Sequence, residues 1–300
     1  MKVLVTGGSG QVGSALSGSG TPGVEVHAPS SRHLDIRRRA RVRSVVESLA
    51  PDLVVNAAAY TRVEQAEDES ERAMAVNATG AGNVAQACAD SGCPLIHLST
   101  DYVFDGRLKR PYREDDATAP LNVYGRSKLD GEQAVRAALD KHLILRVSWV
   151  FSATGSNFVK TMLGLSDRDE VRVVADQRGT PCGASGIAAA VWQIAGRLAE
   201  APAFGTYHFA TAPPTTWHEF AESIFAYWRE AEPARRTPDV VAIPTSAWPT
   251  RAERPMNSVL NAGKLADDYG ISPPDWRDEL RSVVYQLMGG VERILPRAIF

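Results

Sequence analysis

The sequence predicts an α/β fold: a doubly wound, largely parallel sheet with a smaller, mostly helical lobe after it. Three observations carry this. Short β-branched runs alternate with helix-period segments through the first half of the 300 residues. A glycine-rich turn separates the first such run from the first helix. Past about residue 150 the alternation gives way to longer helical patterns and to loops rich in proline and glycine.

The predicted strands are residues 2–6, 24–28, 53–56, 95–99 and 143–147, each a short apolar run. Between them, residues 41–49 place Val42, Val45, Val46 and Leu49 on one helical face. Residues 73–89 and 123–139 repeat that period, and strands joined through helices imply parallel crossovers. In the second half, 185–199 and 217–230 read as helices and 171–174 and 240–243 as short strands. A Rossmann-like dinucleotide-binding domain is therefore expected over 1–150, with segments near 171–200 and 237–243 returning to its sheet. Most of 151–300 is expected to form the substrate-binding lobe.

Composition narrows the function classes. Thirty-three basic against 35 acidic side chains give a formal charge of −2, which disfavours nucleic acid as a partner. The first apolar run meets Gly7 at once, so no signal peptide is expected, and no stretch approaches a membrane span. Cys88, Cys93 and Cys182 lack metal-ligand spacing and are expected to be reduced thiols of a cytoplasmic protein.

The chain reads Thr6-Gly7-Gly8-Ser9-Gly10-Gln11-Val12-Gly13 at the first strand–helix turn. Glycines at this spacing turn the chain, admit a pyrophosphate against backbone, and let the helix pack on the sheet. The helix N-terminus then presents N–H groups to the anion. A chance cluster of glycines is the rival reading, and the position between strand and helix argues against it. No Lys-Ser/Thr follows Gly13, so the turn is not a mononucleotide P-loop. The second strand ends without the acid that reads the ribose of NAD; Ser30, Ser31 and Arg32 stand there instead. A guanidinium suits a 2′-phosphate, so NADPH is the expected cofactor, with NADH the alternative.

Tyr124 and Lys128 are four apart in a predicted helix and share a face. An ammonium beside a phenol lowers the phenol's pKa, which brings proton transfer within reach near neutrality. With only eight tyrosines in the chain, an accidental match to this spacing is uncommon.

These residues, with Asn56-Ala57-Ala58-Ala59 and Val76-Asn77-Ala78-Thr79, resemble the extended short-chain dehydrogenase/reductases. Within them, the stretches from Leu98 to Gly106, Ala119 to Gly125, Arg146 to Phe151, Asn157 to Leu163 and Arg254 to Leu260 resemble the dTDP-4-dehydrorhamnose reductases. The resemblance implies NADPH-dependent reduction of the C4 ketone of dTDP-6-deoxy-L-lyxo-4-hexulose to dTDP-L-rhamnose. It implies Thr100, Tyr124 and Lys128 as catalytic residues, Tyr124 giving the proton and Lys128 lowering its pKa while bonding the nicotinamide ribose. Gly7, Gly10, Gln11, Val12 and Gly13 would face the pyrophosphate, and Asp35 and Ile36 the adenine. Ala59, Tyr60, Thr61 and Leu98 would run along the cofactor, and Thr100, Asp101 and Trp149 would touch the sugar nucleotide. Some members dimerise through magnesium held by glutamates; Ser14-Ala15-Leu16 offers no acid there, so no metal is expected. Cys182 stands where Thr or Ser is common.

Other features read as structure. The five arginines between Arg37 and Arg43 fit the wet face of a helix, and Glu114-Asp115-Asp116 a solvated turn. Trp217 reads as core. Two rival functions stand beside the lead: reduction of another nucleotide-linked deoxysugar, and a non-catalytic regulatory partner of the same fold. An intact Thr100, Tyr124 and Lys128 favours an enzyme, acting as a monomer or homodimer.

Overall fold

The computed structural model describes residues 1–289 apart from Thr21, Ala201 and Arg235. The last part of the predicted lobe, 290–300, lies outside the described residues. The first half alternates β1 (Lys2–Thr6), α1 (Gln11–Gly18), β2 (Glu25–His27), α2 (Arg39–Leu49) and β3 (Leu53–Asn56). It continues through α3 (Val63–Ala66), α4 (Ser70–Met74), a π-helical turn (Ala75–Gly80), α5 (Ala81–Ser91), β4 (Leu95–Thr100), α6 (Val123–Ala138) and β5 (His142–Val147). The second half holds β6 (Val150–Phe151), α7 (Phe158–Leu163), β7 (Glu170–Val174), β8 (Arg178–Gly179), β9 (Cys182–Gly183) and α8 (Ala184–Glu200). After them come β10 (Gly205–His208), β11 (Thr215–Thr216), α9 (Trp217–Ala231), β12 (Asp239–Ile243), α10 (Gly263–Tyr269) and α11 (Trp276–Leu287).

The central sheet has six parallel strands in the order β10-β5-β4-β3-β1-β2. Its strands are buried on both faces, which explains their unbroken apolar runs. Alternation sorts the side chains: Val3, Val5, Leu53 and Val55 face a core completed by α1 and α8. Leu4, Val54, Leu95 and Ile144 face the opposite core, under α2, α5 and α6. Chain order reverses between β1 and β3, so the loops after these strands diverge and leave a crevice at their carboxyl ends.

Two expectations about the second half are corrected. Strands β7 and β12 form as read, yet they pair with each other in a separate two-stranded parallel sheet. Their valines turn into a third core with Phe220, Phe225, Trp276 and Leu280, away from the central sheet. The sixth central strand is instead β10, whose Gly205-Thr206-Tyr207-His208 is too short and polar to read as a buried strand. Helix α8 does return: Ile187, Val191 and Ile194 pack with the β1 valines.

If α8 closes the central core, Ile187→Ala should cost about 2–5 kcal/mol of global stability, read as a lower urea midpoint. An unchanged midpoint would detach α8 from that core.

Candidate active site

The glycine turn is built by close approach. Gly7 has φ +71°, and a Cβ there would lie 2.7 Å from the Ala58 backbone. A Cβ on Gly13 would meet the Gly7 carbonyl oxygen at 2.3 Å, so α1 packs directly on the turn. The Gly10 N–H donates to the Gly7 oxygen at 2.9 Å. No side chain caps α1, and its first turn carries no acid. The bare helix N-terminus above a turn that excludes side chains fits a pyrophosphate. Val12 has its side chain in the core, leaving only its backbone for an anion. The Gln11 Oε1 accepts from Ser152 Oγ at 3.0 Å and Asn157 Nδ2 at 2.9 Å, tying the turn to the second half.

Beyond β2, Ser31 and Arg32 are exposed, and the Ser30 hydroxyl meets His33 Nδ1 at 2.9 Å. Arg32 enters no ion pair among the described residues, whereas Asp35 is held in a fork by Arg37 at 2.7–3.2 Å. The Arg37 guanidinium keeps that carboxyl below its ordinary range. Ile36 is buried against Gly80, so neither Asp35 nor Ile36 is an unengaged adenine contact. After β3, Ala59 is half-buried, Tyr60 is buried and Thr61 is exposed.

Helix α6 begins at Asn122, whose side chain accepts from the Gly125 N–H at 2.8 Å. That cap starts the helix two residues before Tyr124 and so sets which way the phenol faces. Thr100 ends β4, and its hydroxyl donates to Asp101 Oδ1 at 3.0 Å. Burial pushes the Tyr124 phenol up to about 12, and the Thr100 hydroxyl pulls it back. Asp101, also buried, is pushed up to about 7 against the pull of the Ser258 and Thr100 hydroxyls. The structure thus brings Thr100, Asp101 and Tyr124 into one polar cluster.

Lys128 lies one helical turn beyond Tyr124 on α6. Its ammonium donates to the Leu98 carbonyl at 2.7 Å, and the Thr100 hydroxyl lowers the phenol. A buried ammonium needs an acceptor, and the β4 carbonyl is the one within reach. Burial brings Lys128 down to about 8, with the negative charge of Glu132 opposing.

Trp149, between β5 and β6, has φ +44° and stacks on Trp217 with ring centroids 3.5 Å apart at 7°. Gly179 makes room, since a Cβ there would come within 2.4 Å of the Trp149 ring. Trp217 in turn lines a cleft of about 620 Å³ with Phe158, Met162, Gln177, Trp248 and Arg254. The sequence reading left Trp217 in the core; its stacking partner is remote in sequence, so no local signal marks it. Asn77 was also missed as a positioning group: it accepts from the Tyr60 N–H at 2.8 Å and donates to Ser127 Oγ at 2.8 Å.

Known proteins are similar to this chain over nearly its full length. The family model described as RmlD substrate binding domain matches residues 1–288. A dTDP-4-dehydrorhamnose reductase of Sinorhizobium fredii is 44% identical over 96% of this chain and 98% of its own. The Escherichia coli K12 protein of the same name is 40% identical over 96% and 98%. Among solved structures, the Bacillus anthracis dTDP-4-dehydrorhamnose reductase in complex with NADP has TM-score 0.88 and 34% identity, covering 95% of this chain and 99% of that one. A Clostridium acetobutylicum ortholog has TM-score 0.90 and 33% identity, covering 96% and 100%. With relatives this similar from end to end, the chain belongs to the RmlD substrate binding domain family.

Proposed function

We propose that this chain is an NADPH-dependent reductase that converts the C4 ketone of dTDP-6-deoxy-L-lyxo-4-hexulose to dTDP-L-rhamnose. The observation that carries the reading is the polar cluster of Thr100, Asp101 and Tyr124 at the carboxyl ends of the sheet, beside the bare glycine turn. Relatives named for this activity, one of them solved with NADP, support it.

The backbone of Gly10, Gln11 and Val12 would hold the pyrophosphate, with Gly7 and Gly13 shaping the turn. Arg32, which enters no ion pair among the described residues, would hold the 2′-phosphate with Ser30 and Ser31. Ala59, Tyr60, Thr61 and Leu98 would flank the rest of the dinucleotide, with Asp35 and Ile36 edging the adenine from behind. When bound, NADPH supplies the hydride for the carbonyl carbon.

The protein's own share is proton and charge. Tyr124 keeps its proton throughout the neutral range, because burial holds the phenol at about 12. It gives that proton to the oxygen as negative charge gathers there, an alkoxide being far more basic than a phenolate. Thr100 turns its O–H from Asp101 toward the same oxygen and stabilises the charge. Lys128 supplies the positive field that lowers the cost of the phenolate left behind, and its ammonium would also hold the nicotinamide ribose when NADPH is bound. Trp149, backed by Trp217, bounds the sugar, and Asp101 accepts from its hydroxyls.

One copy carries every proposed catalytic group, so a monomer or a homodimer suffices. NADPH and nucleotide sugars are cytoplasmic metabolites, and the reading carries that location with it. Among the described residues no helix is long and apolar enough to cross a membrane.

Purified protein should consume NADPH only when the dTDP-ketosugar is added, followed by absorbance; no consumption rejects the activity. Tyr124→Phe should bind NADPH normally and lose about 10²–10⁴-fold in kcat, whereas near-normal turnover would dismiss it as the acid. The kcat/KM profile reports groups of the free enzyme and should fall as pH rises past about 8, where Lys128 loses its proton. A profile level well beyond that pH would remove the ammonium from the mechanism. Arg32→Ala should cut the NADPH-over-NADH preference about tenfold, the worth of one charge-assisted hydrogen bond; an unaltered ratio would place the 2′-phosphate elsewhere.

A further inference from the structure

One helical turn behind Lys128 lies a buried ionic cluster that the reduction, as described, does not use. Glu132 is fully buried. It accepts from Ser99 Oγ on β4 at 2.6 Å, from Arg146 Nε and Nη2 on β5 at 2.8 and 2.7 Å, and from Arg136 Nη2 at 2.8 Å. Arg146 spends its remaining nitrogen on His208 Nε2 at 3.3 Å, and its guanidinium lies 5.0 Å over the Phe104 ring.

Two consequences point toward Lys128. The first is geometric. Lys128 holds the carbonyl of Leu98, and Glu132 holds the hydroxyl of Ser99, the next residue of β4. Thr100 follows immediately. Helix α6 is therefore pinned to two consecutive strand residues, the Leu98 carbonyl and the Ser99 hydroxyl, by side chains four apart, and a slip of the helix would carry Tyr124 away from Thr100.

The second is charge. The titratable and charged groups of this cluster and its surroundings are Tyr124, Lys128, Glu132 and Arg136 on α6, His97 on β4, Asp101 just beyond it, and His142 and Arg146 on β5. Burial holds His97 neutral, well below the ordinary imidazole range, with Lys128 pressing it further. Burial raises the Glu132 carboxyl, but Arg146, Ser99 and Arg136 together bring it down to about 2, so it is an anion in the neutral range. Its charge is the one that opposes the burial of the ammonium. Without it, the buried Lys128 ammonium would lose the anion that offsets its burial.

We propose that Glu132 is a positioning residue for the reduction, pinning the Tyr124–Lys128 face of α6 to the end of β4 and keeping Lys128 cationic. This rests on the reading of Lys128 as the cation beside the cofactor.

The test is Glu132→Gln, read by carbon-13 NMR titration of the lysine ε-carbons, with Lys128→Arg used to assign the signal. NADPH affinity against pH, measured by fluorescence, and the kcat/KM profile accompany it. The Lys128 midpoint should fall by about one pH unit or more from its wild-type position, with NADPH affinity and the basic limb of the profile following it down. Glu132→Asp, which keeps the charge, should recover most of that midpoint. A lower melting temperature with an unmoved Lys128 midpoint and an unmoved profile would make Glu132 scaffolding only and overturn the proposal. Should Glu132→Gln fail to fold, the double variant Glu132→Gln with Arg146→Met leaves no stranded guanidinium; the same shift supports the proposal and the same constancy overturns it. The NMR and fluorescence arms need no ketosugar, so wild-type protein that binds NADPH but reduces nothing would reject the activity while leaving this proposal decided by the titration.

Discussion

A single buried amide fixes the geometry on which the site depends. Asn77 is 1% exposed, and its side chain answers both backbone groups of Tyr60, accepting the N–H at 2.8 Å and donating to the carbonyl at 3.0 Å. The same Nδ2 reaches Ser127 Oγ at 2.8 Å, next to Lys128. Its own backbone lies in the π-helical turn, and its carbonyl faces Gly131, where a Cβ would stand only 2.1 Å away. Helix α6 therefore approaches to backbone contact. The segment after β3, the wide turn and the helix bearing Tyr124 are riveted at one point. In a low-dielectric interior such a fully satisfied group is worth more than its separate bonds, and replacing it with an apolar residue would strand several partners at once.

How much of this was legible depends on the range over which each signal acts. Strands β1 and β3 match their predicted bounds because Val3 to Val5 and Leu53 to Val55 are zero to 2% exposed and bounded by turns. The glycine turn and the four-residue spacing of Tyr124 and Lys128 are local, and the helix puts both on one face. Strand β12 shows the limit: alternation tells which face of Val240 is buried but not that its neighbour is Val171. Strand β10 is not legible because it is short and polar, and its His208 is buried against Arg146, Phe104 and the Tyr112 carbonyl, none of which is near it in sequence. For the same reason the Trp149–Trp217 stack left no trace. The bond from Lys128 to the Leu98 carbonyl is not legible either, since spacing places two groups on a face without deciding what each bonds.

Burial acts on the two central groups in opposite ways. It keeps Tyr124 loaded with its proton and at the same time penalises the cation on Lys128. A proton donor needs the first effect, and the phenolate it leaves needs the cation that the second erodes. The fold reconciles them by supplying fixed polar atoms from regular elements: the Leu98 carbonyl of β4 and the Thr100 hydroxyl at its end. Atoms on a paired strand cost no reorganisation when charge develops, which is where such a site gains over water.

The wall of the cleft carries the remaining strain. Trp149 holds a left-handed backbone at φ +44°, a conformation that costs a bulky side chain on the order of 1–3 kcal/mol. Nothing in its own segment explains why the residue after β5 should adopt it. The explanation lies in its stacking partner: Trp217, at the start of α9 and lining the cleft, takes the ring face to face, and Gly179 leaves the space beside it. Helix α9 is held in turn by a capping box, Thr216 accepting from the Glu219 N–H at 3.1 Å while Glu219 accepts from the Thr216 N–H at 3.0 Å. The strained residue follows the last strand of the first half, and its support comes from the second. Stacking area and a fixed helix start thus offset the backbone cost, and the aromatic wall is rigid because both halves of the chain must agree on where it stands.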